Sequence, residues 1–284
     1  MRDTIAAQSC VKPRGGHECA PGGPLARWSG RSRKSTVDRE VASKFVLPGE
    51  GLPTRQTRFV RSFRFVQPTN ADLASVALPA MRLHPAPGQP GVDQSHIGGP
   101  LLWPVDEPWP GPAYSALQLY RKDFPSLPFP RGTDLLQVFV CPGGTLDGPG
   151  ATVVWRAAAE VTDVTAEPPP RPRFDDEHFH AKPCLLEPCR IDEHPLSATF
   201  AQGCKVGGWT TWFGGEPHHL LRCPECSAVR RPLIGLDTYE FPHDSCGHQP
   251  KTVNPVGWKF GSLGVLYVFA CSRNPRHPVM TFED

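Results

Sequence analysis

The sequence predicts a mainly β fold, α+β only through a few short helices, built from a duplicated β-rich unit with long Pro-rich connections. Three observations carry this. Thirty-five prolines and 27 glycines break helices throughout, because proline lacks an amide donor and glycine loses the most backbone entropy on ordering. The convincing apolar runs are short, strand-length stretches such as residues 135–141 and 265–271. Finally, one stretch occurs twice. At a constant offset Ile97 pairs with Val206, Gly98 and Gly99 with Gly207 and Gly208, and Trp103 with Trp212, and residues 136–141 match residues 266–271 further on. A repeated unit of this kind points to two related halves.

Taken in order, residues 1–53 show no sustained period and are read as a disordered basic head. Residues 54–164 form the first β-rich repeat. It opens with alternation over residues 58–66, where Phe59, Phe63 and Phe65 are separated by arginines. Residues 71–83 read as a short helix capped by Asn70 and closed at Pro79. Strands are expected at residues 116–120, 135–141 and 151–156. Residues 165–195 are acidic and Pro-rich and read as the linker between halves. Residues 196–284 form the second repeat, with strands at 220–221, 233–236 and 265–270.

The formal charge of +2 conceals an asymmetry. Residues 1–66 carry 13 Lys/Arg against 5 Asp/Glu, and the rest carries 17 against 23. A mildly acidic body argues against a dedicated nucleic-acid surface, and the basic head reads as a solvated tail. The first 30 residues hold no apolar core of a secretory signal, and the longest apolar run is too short to span a bilayer. A cytoplasmic, monomeric protein that meets no membrane is expected, its ten cysteines being thiols or metal ligands.

The sharpest chemical motif is Cys223-Pro224-Glu225-Cys226. A C-x-x-C turn sets two thiolates at the spacing of a tetrahedral metal shell, which suits zinc. Two further ligands are required, and two pairs are candidates: Cys271 with His277, at the end of the last apolar strand, and Cys246 with His248. The first is favoured because a strand end followed by a proline turn resembles a second knuckle. Neither set leaves an open position for catalysis, so a structural Zn2+ is expected.

The tryptophans Trp103, Trp109, Trp209 and Trp212 lie near the glycine pairs. A large flat side chain beside Gly98, Gly99, Gly207 or Gly208 makes a groove where a partner's backbone or proline can pack. Plugging the ends of two sheets is the competing role for the same residues. The glycine pairs lack the G-x-G-x-x-G or P-loop context for phosphate. No catalytic constellation is present, neither G-x-S-x-G nor H-E-x-x-H.

Residues 95–110 (SHIGGPLLWPVDEPWP), followed by Leu119 and by Gly132-Thr133-Asp134-Leu135-Leu136-Gln137-Val138-Phe139, resemble the YwqG-like family of bacterial proteins. Lys205-Val206-Gly207-Gly208-Trp209, the Cys223 knuckle and the last strand through Cys271 and His277 resemble the second half of its actinobacterial members. That family is similar to the eukaryotic ribosome-biogenesis chaperones of the programmed-cell-death-two type, which share the K-x-G-G element. The resemblance covers residues 55–284 and implies a non-enzymatic protein-binding module, either a chaperone-like holder of a client or an immunity protein that neutralises a toxin. Between Trp109 and Leu117 the chain is shorter than the family's loop. The alternatives are a zinc-dependent hydrolase of a small substrate and a zinc-knuckle nucleic-acid binder.

Overall fold

The computed structural model describes residues 76–145, 148–172, 177–194, 203–210, 221–243, 246–261 and 264–283, all within one compact unit. The expected basic head, the alternation at residues 58–66, the first part of the expected helix and Trp212 lie outside the described residues. The fold is mainly β. The strands are β1 (Leu78–Arg82), β2 (Pro85–Pro87), β3 (His96–Ile97), β4 (Tyr114–Tyr120), β5 (Leu135–Thr145), β6 (Gly148–Arg156), β7 (Cys184–Leu186), β8 (Cys189–Glu193), β9 (Lys205–Gly207), β10 (Arg230–Asp237), β11 (Val265–Cys271) and β12 (Met280–Glu283). The described helices are two single 3₁₀ turns, Ala158–Glu160 and Glu177–Phe179.

The strands form two six-stranded antiparallel sheets, ordered β12-β11-β10-β9-β1-β8 and β2-β7-β3-β4-β5-β6. Both orders read alike outward from the strand that precedes a glycine pair. From β3, the strands β4, β5 and β6 lie on one side and β7 and β2 on the other. From β9, the strands β10, β11 and β12 lie on one side and β1 and β8 on the other. Register agrees too. Ile97 faces Leu117, which faces Val138; Val206 faces Ile234, which faces Val268. Each second strand slips register once, between Ser115 and Leu117 and between Pro232 and Ile234, which marks a β-bulge at corresponding places.

The sheets are joined by a shared ribbon. β1 and β2 follow one another with a bend at Leu83-His84, and β7 and β8 follow one another on the opposite side. Arg82 faces Cys189 before the bend and Pro85 faces Leu186 after it, so the pairing keeps one register from Leu78↔Glu193 to Pro87↔Cys184. The stretch 165–195, expected as a linker, therefore supplies a strand to each sheet. The expected helix over 71–83 is corrected over its described part, residues 76–83, which holds strand β1 and no helix. The helical reading failed because the inward positions of β1 include Arg82, which breaks the apolar alternation that signals a strand.

One continuous core lies between the sheets. It contains Ile97, Leu117, Leu119, Leu136 and Val138 from one, Val206, Ile234, Leu236, Leu266 and Val268 from the other, and Leu83 from the bend. Ranked by burial alone, β5 and β11 are the centre: every residue of β11 is buried. The strands expected at 116–120, 135–141, 151–156, 233–236 and 265–270 all lie within observed strands. Leu221 instead stands in a turn.

Candidate metal centre

Cys223, Cys226, Cys271 and His277 come together, and their ligand atoms all lie within 4.8 Å of one another. Cys223 Sγ is 3.3 Å from His277 Nδ1, and Cys226 Sγ is 3.5 Å from Cys271 Sγ. A tetrahedral zinc shell with the usual bond lengths separates its ligand atoms by about 3.3–3.8 Å. The donor set and its geometry therefore fit a metal ion of the zinc class.

The local chain explains the convergence. The knuckle closes through Cys223 N–H donating to Ala228 O and Ser227 N–H donating to Cys223 O, with Ser227 at φ 57° and an antiparallel bridge between Arg222 and Val229. β10 starts at Arg230, which faces Cys271 at the end of β11. The following turn is shaped by Asn274, whose side-chain oxygen accepts from Arg276 N–H and whose carbonyl accepts from His277 N–H. The Arg230 guanidinium ties the two loops together by donating to Arg222 O and Pro278 O. Burial pushes the Cys271 thiol up, but the backbone N–H groups of Asn274 and Arg273 and the neighbouring thiols outweigh it and bring it down to about 6. The N–H groups that favour a thiolate are the ones a metal-ligating sulfur uses.

Cys246 and His248, the other candidate pair, do not join this centre. Cys246 Sγ lies 3.2 Å from His84 Nε2, and the His248 ring stacks on His84 at 3.8 Å between centroids. His84, Cys189 and Glu240 share that second cluster and carry no spacing signal, so sequence reasoning passed over them.

The glycine pairs are packing devices. Gly98 has φ 65°, and a Cβ there would sit 2.5 Å from the carbonyls of Ala181 and Lys182. Gly207 has φ 68°, and a Cβ there would sit 3.2 Å from the carbonyl of Pro79. Beside each sheet a neighbouring backbone runs close to the glycine, the segment before β7 at Gly98 and strand β1 at Gly207, and the positive φ at both positions favours glycine as well. Gly99 faces the His96 ring and Pro90, and Gly208 faces the Glu193 carboxylate and Ala80.

A buried polar side chain holds each turn from four residues upstream. His96 Nε2 donates to Pro100 O at 2.9 Å, and its Nδ1 accepts from Gly99 N–H. Lys205 Nζ donates to Trp209 O at 2.6 Å and to both oxygens of Glu193 at 2.8 Å, while Trp209 N–H donates to Glu193 Oε2. His96 is fully buried. Its pKa is lowered to about 4, chiefly by burial, which outweighs the favourable hydrogen bond to Pro100 O. The unfolded imidazole gains its proton near pH 6.5 and the folded one does not, so stability falls as pH drops from there towards 4. Between pH 7.5 and 4.5, urea unfolding of His96→Gln should lose about 2–3 kcal/mol less than the parent protein.

The tryptophans divide. Trp103 is 1% exposed. It stacks on Trp109 at 4.7 Å, meets Phe139 edge-on and lies under the Arg156 guanidinium at 4.4 Å. It thus offers a partner almost none of its surface. Trp103→Ala should cost about 3–5 kcal/mol by chemical denaturation, a loss of core rather than of a contact. Trp109 and Trp209 are half-buried, and the Trp209 indole donates to Val76 O. The segment between Trp103 and Trp109 is pinned by a bidentate pair from Arg156 to Glu107 at 2.8 and 3.0 Å. Elsewhere burial pushes the Cys184 thiol up to about 11 and the Cys204 thiol well above its usual range, which keeps both unreactive.

No helix among the described residues is long and apolar enough to cross a membrane. A scan of the sequence against protein-family models and a search of curated proteins return no match.

Proposed function

We propose that the protein is a non-enzymatic protein-binding module of the YwqG-like type, stabilised by a structural zinc ion at Cys223, Cys226, Cys271 and His277. The observation that carries this is the convergence of three Sγ atoms and one imidazole nitrogen within 4.8 Å. Four protein ligands fill a tetrahedral shell, leaving no position for an activated water, which is the pattern of a structural and not a hydrolytic zinc. The shared strand order, register and bulge position of the two sheets support their origin as a duplicated unit.

The partner, a client polypeptide or a toxin, is met by the Trp-Pro-rich segment of the first half. In support, Val105 is 64% exposed beside a cavity of about 480 Å³ lined by Asp106, Glu107, Pro108, Trp155, Arg156 and Arg276. An apolar tip with a charged rim is the composition of a transient protein contact. The test is affinity capture from cell lysate with Val105→Glu/Asp106→Arg against the parent and against Val253→Glu, which alters another exposed valine. A partner lost only by the first variant supports the reading. Identical capture by all three would sink it, as would a cobalt-substituted centre showing an exchangeable water.

A further inference from the structure

The bend of the shared ribbon holds a second cluster of metal-ligating atoms. His84 adopts φ 45°, a left-handed conformation uncommon for a residue with a side chain, where the chain passes from one sheet to the other. Its ring is buried, and Nδ1 donates to the buried carboxylate of Glu240 at 2.7 Å. That bond directs an Nδ1 proton at the carboxylate and turns Nε2 toward the thiols. A carboxylate behind a histidine whose other nitrogen faces soft ligands is the usual second shell of a metal-bound imidazole. His84 Nε2, Cys189 Sγ and Cys246 Sγ all lie within 4.8 Å of one another, the first and last 3.2 Å apart.

The local chain around Cys246 repeats the design of the Cys223 knuckle. There, ligands three residues apart are followed at once by Ser227 at φ 57° and closed by the Arg222–Val229 bridge. Here, His243 and Cys246 are three residues apart and Gly247 follows at φ 66°. A bridge between His243 and His248 closes the turn with backbone hydrogen bonds of 3.0 and 3.2 Å. His243 Nδ1 is 3.6 Å from Cys246 Sγ but stands outside the group whose atoms all lie within 4.8 Å of one another, so it would reach a shared ion by turning its ring. An entry path exists, since a cavity of about 710 Å³ is lined by His84, Cys189, Cys246 and His248.

We propose that His84, Cys189 and Cys246, completed by His243, form a second centre for a zinc-class divalent cation that clamps the crossing ribbon to the 243–248 turn. Two thiolates neutralise the ion's charge, and Arg82, 3.5 Å from Glu240 Oε1, offsets the supporting carboxylate. This centre stands on observations separate from those of the Cys223 centre.

The test is zinc content of the full-length chain, purified under reductant and measured by native mass spectrometry and by elemental analysis. The parent should hold two zinc ions. Cys189→Ser and Cys246→Ser should each hold one, retained at the Cys223 centre, and Cys226→Ser should hold one, retained here. His243→Ala should bind the second ion at least tenfold more weakly. Cobalt loading of the unmutated chain guards against variants that fail to fold: its thiolate charge-transfer band should correspond to five Co–S bonds for both centres against three for the Cys223 centre alone. A parent with one zinc that Cys189→Ser keeps would overturn the proposal. So would two zinc ions retained by Cys189→Ser/Cys246→Ser, or a Cys189–Cys246 disulfide in the reductant-purified protein. A parent with one zinc lost in Cys189→Ser and kept in Cys226→Ser would uphold it and reject the Cys223 centre.

Discussion

Removal of the zinc ion proposed for the Cys223 centre is expected to lower the melting temperature by about 10 °C, corresponding to about 4 kcal/mol for a unit of this size. The loss would arise because the proposed ion links the knuckle before β10 to the turn after β11, and without it a few hydrogen bonds among the described residues hold those loops. Ser272 N–H donates to Val229 O, and Arg230 bridges Arg222 and Pro278, but three buried or half-buried thiols and an imidazole are left close together. Cys223→Ser should reproduce the shift in zinc-replete buffer, and chelator should then add little in Cys223→Ser/Cys246→Ser, where both candidate centres are broken. Differential scanning fluorimetry with and without chelator reads both. A parent protein whose melting temperature ignores chelation would mean that the four ligands hold no ion that matters to the fold.

Lys205→Met is expected to destabilise the protein by about 3–5 kcal/mol, because it leaves the buried Glu193 carboxylate without its counter-charge. Both side chains are almost fully shielded, Lys205 at 3% and Glu193 at 0% exposed. Burial lowers the Lys205 pKa, and the adjacent carboxylate opposes that fall. The pair also positions the second glycine turn, since the same carboxylate accepts from Trp209 N–H. The double variant Lys205→Met/Glu193→Gln should recover part of the loss. A neutral amide oxygen can still accept from Trp209, and no charge is stranded. Equal stability of the single and double variants in urea titration would show that the ion pair's geometry, not its charge balance, sets the cost.

The local features of this protein were legible in its sequence. Strands β4, β5, β10 and β11 announce themselves through apolar runs bounded by turn residues, since side chains facing one core must be apolar at the strand period. The Cys223-x-x-Cys226 turn and its partners at the end of β11 were likewise readable. The thiolates of a knuckle are set by a few consecutive backbone torsions, and β11 delivers Cys271 and His277 to it by simple adjacency to β10.

Other features depend on contacts that no local pattern encodes. The ribbon strands β1, β2, β7 and β8 are short, with prolines in β1 and β2 and inward charges in β1 and β8. Arg82 and Glu193 are tolerated there only because Glu240 and Lys205 arrive from distant segments to pair with them. Trp103 could have been an anchor or a core residue by its chemistry alone, and it is core because Trp109, Phe139 and Arg156 enclose it. His84, Cys189 and Cys246 lie on three separated segments that share no motif. By itself the sequence determined the β class, the strong strands and the first metal-type knuckle, whose causes are local periodicity and local turn geometry. Only the tertiary structure decided which strands bridge the sheets, which aromatic side chains are buried and which thiols and imidazoles meet at the bend, because long-range pairing sets each of these.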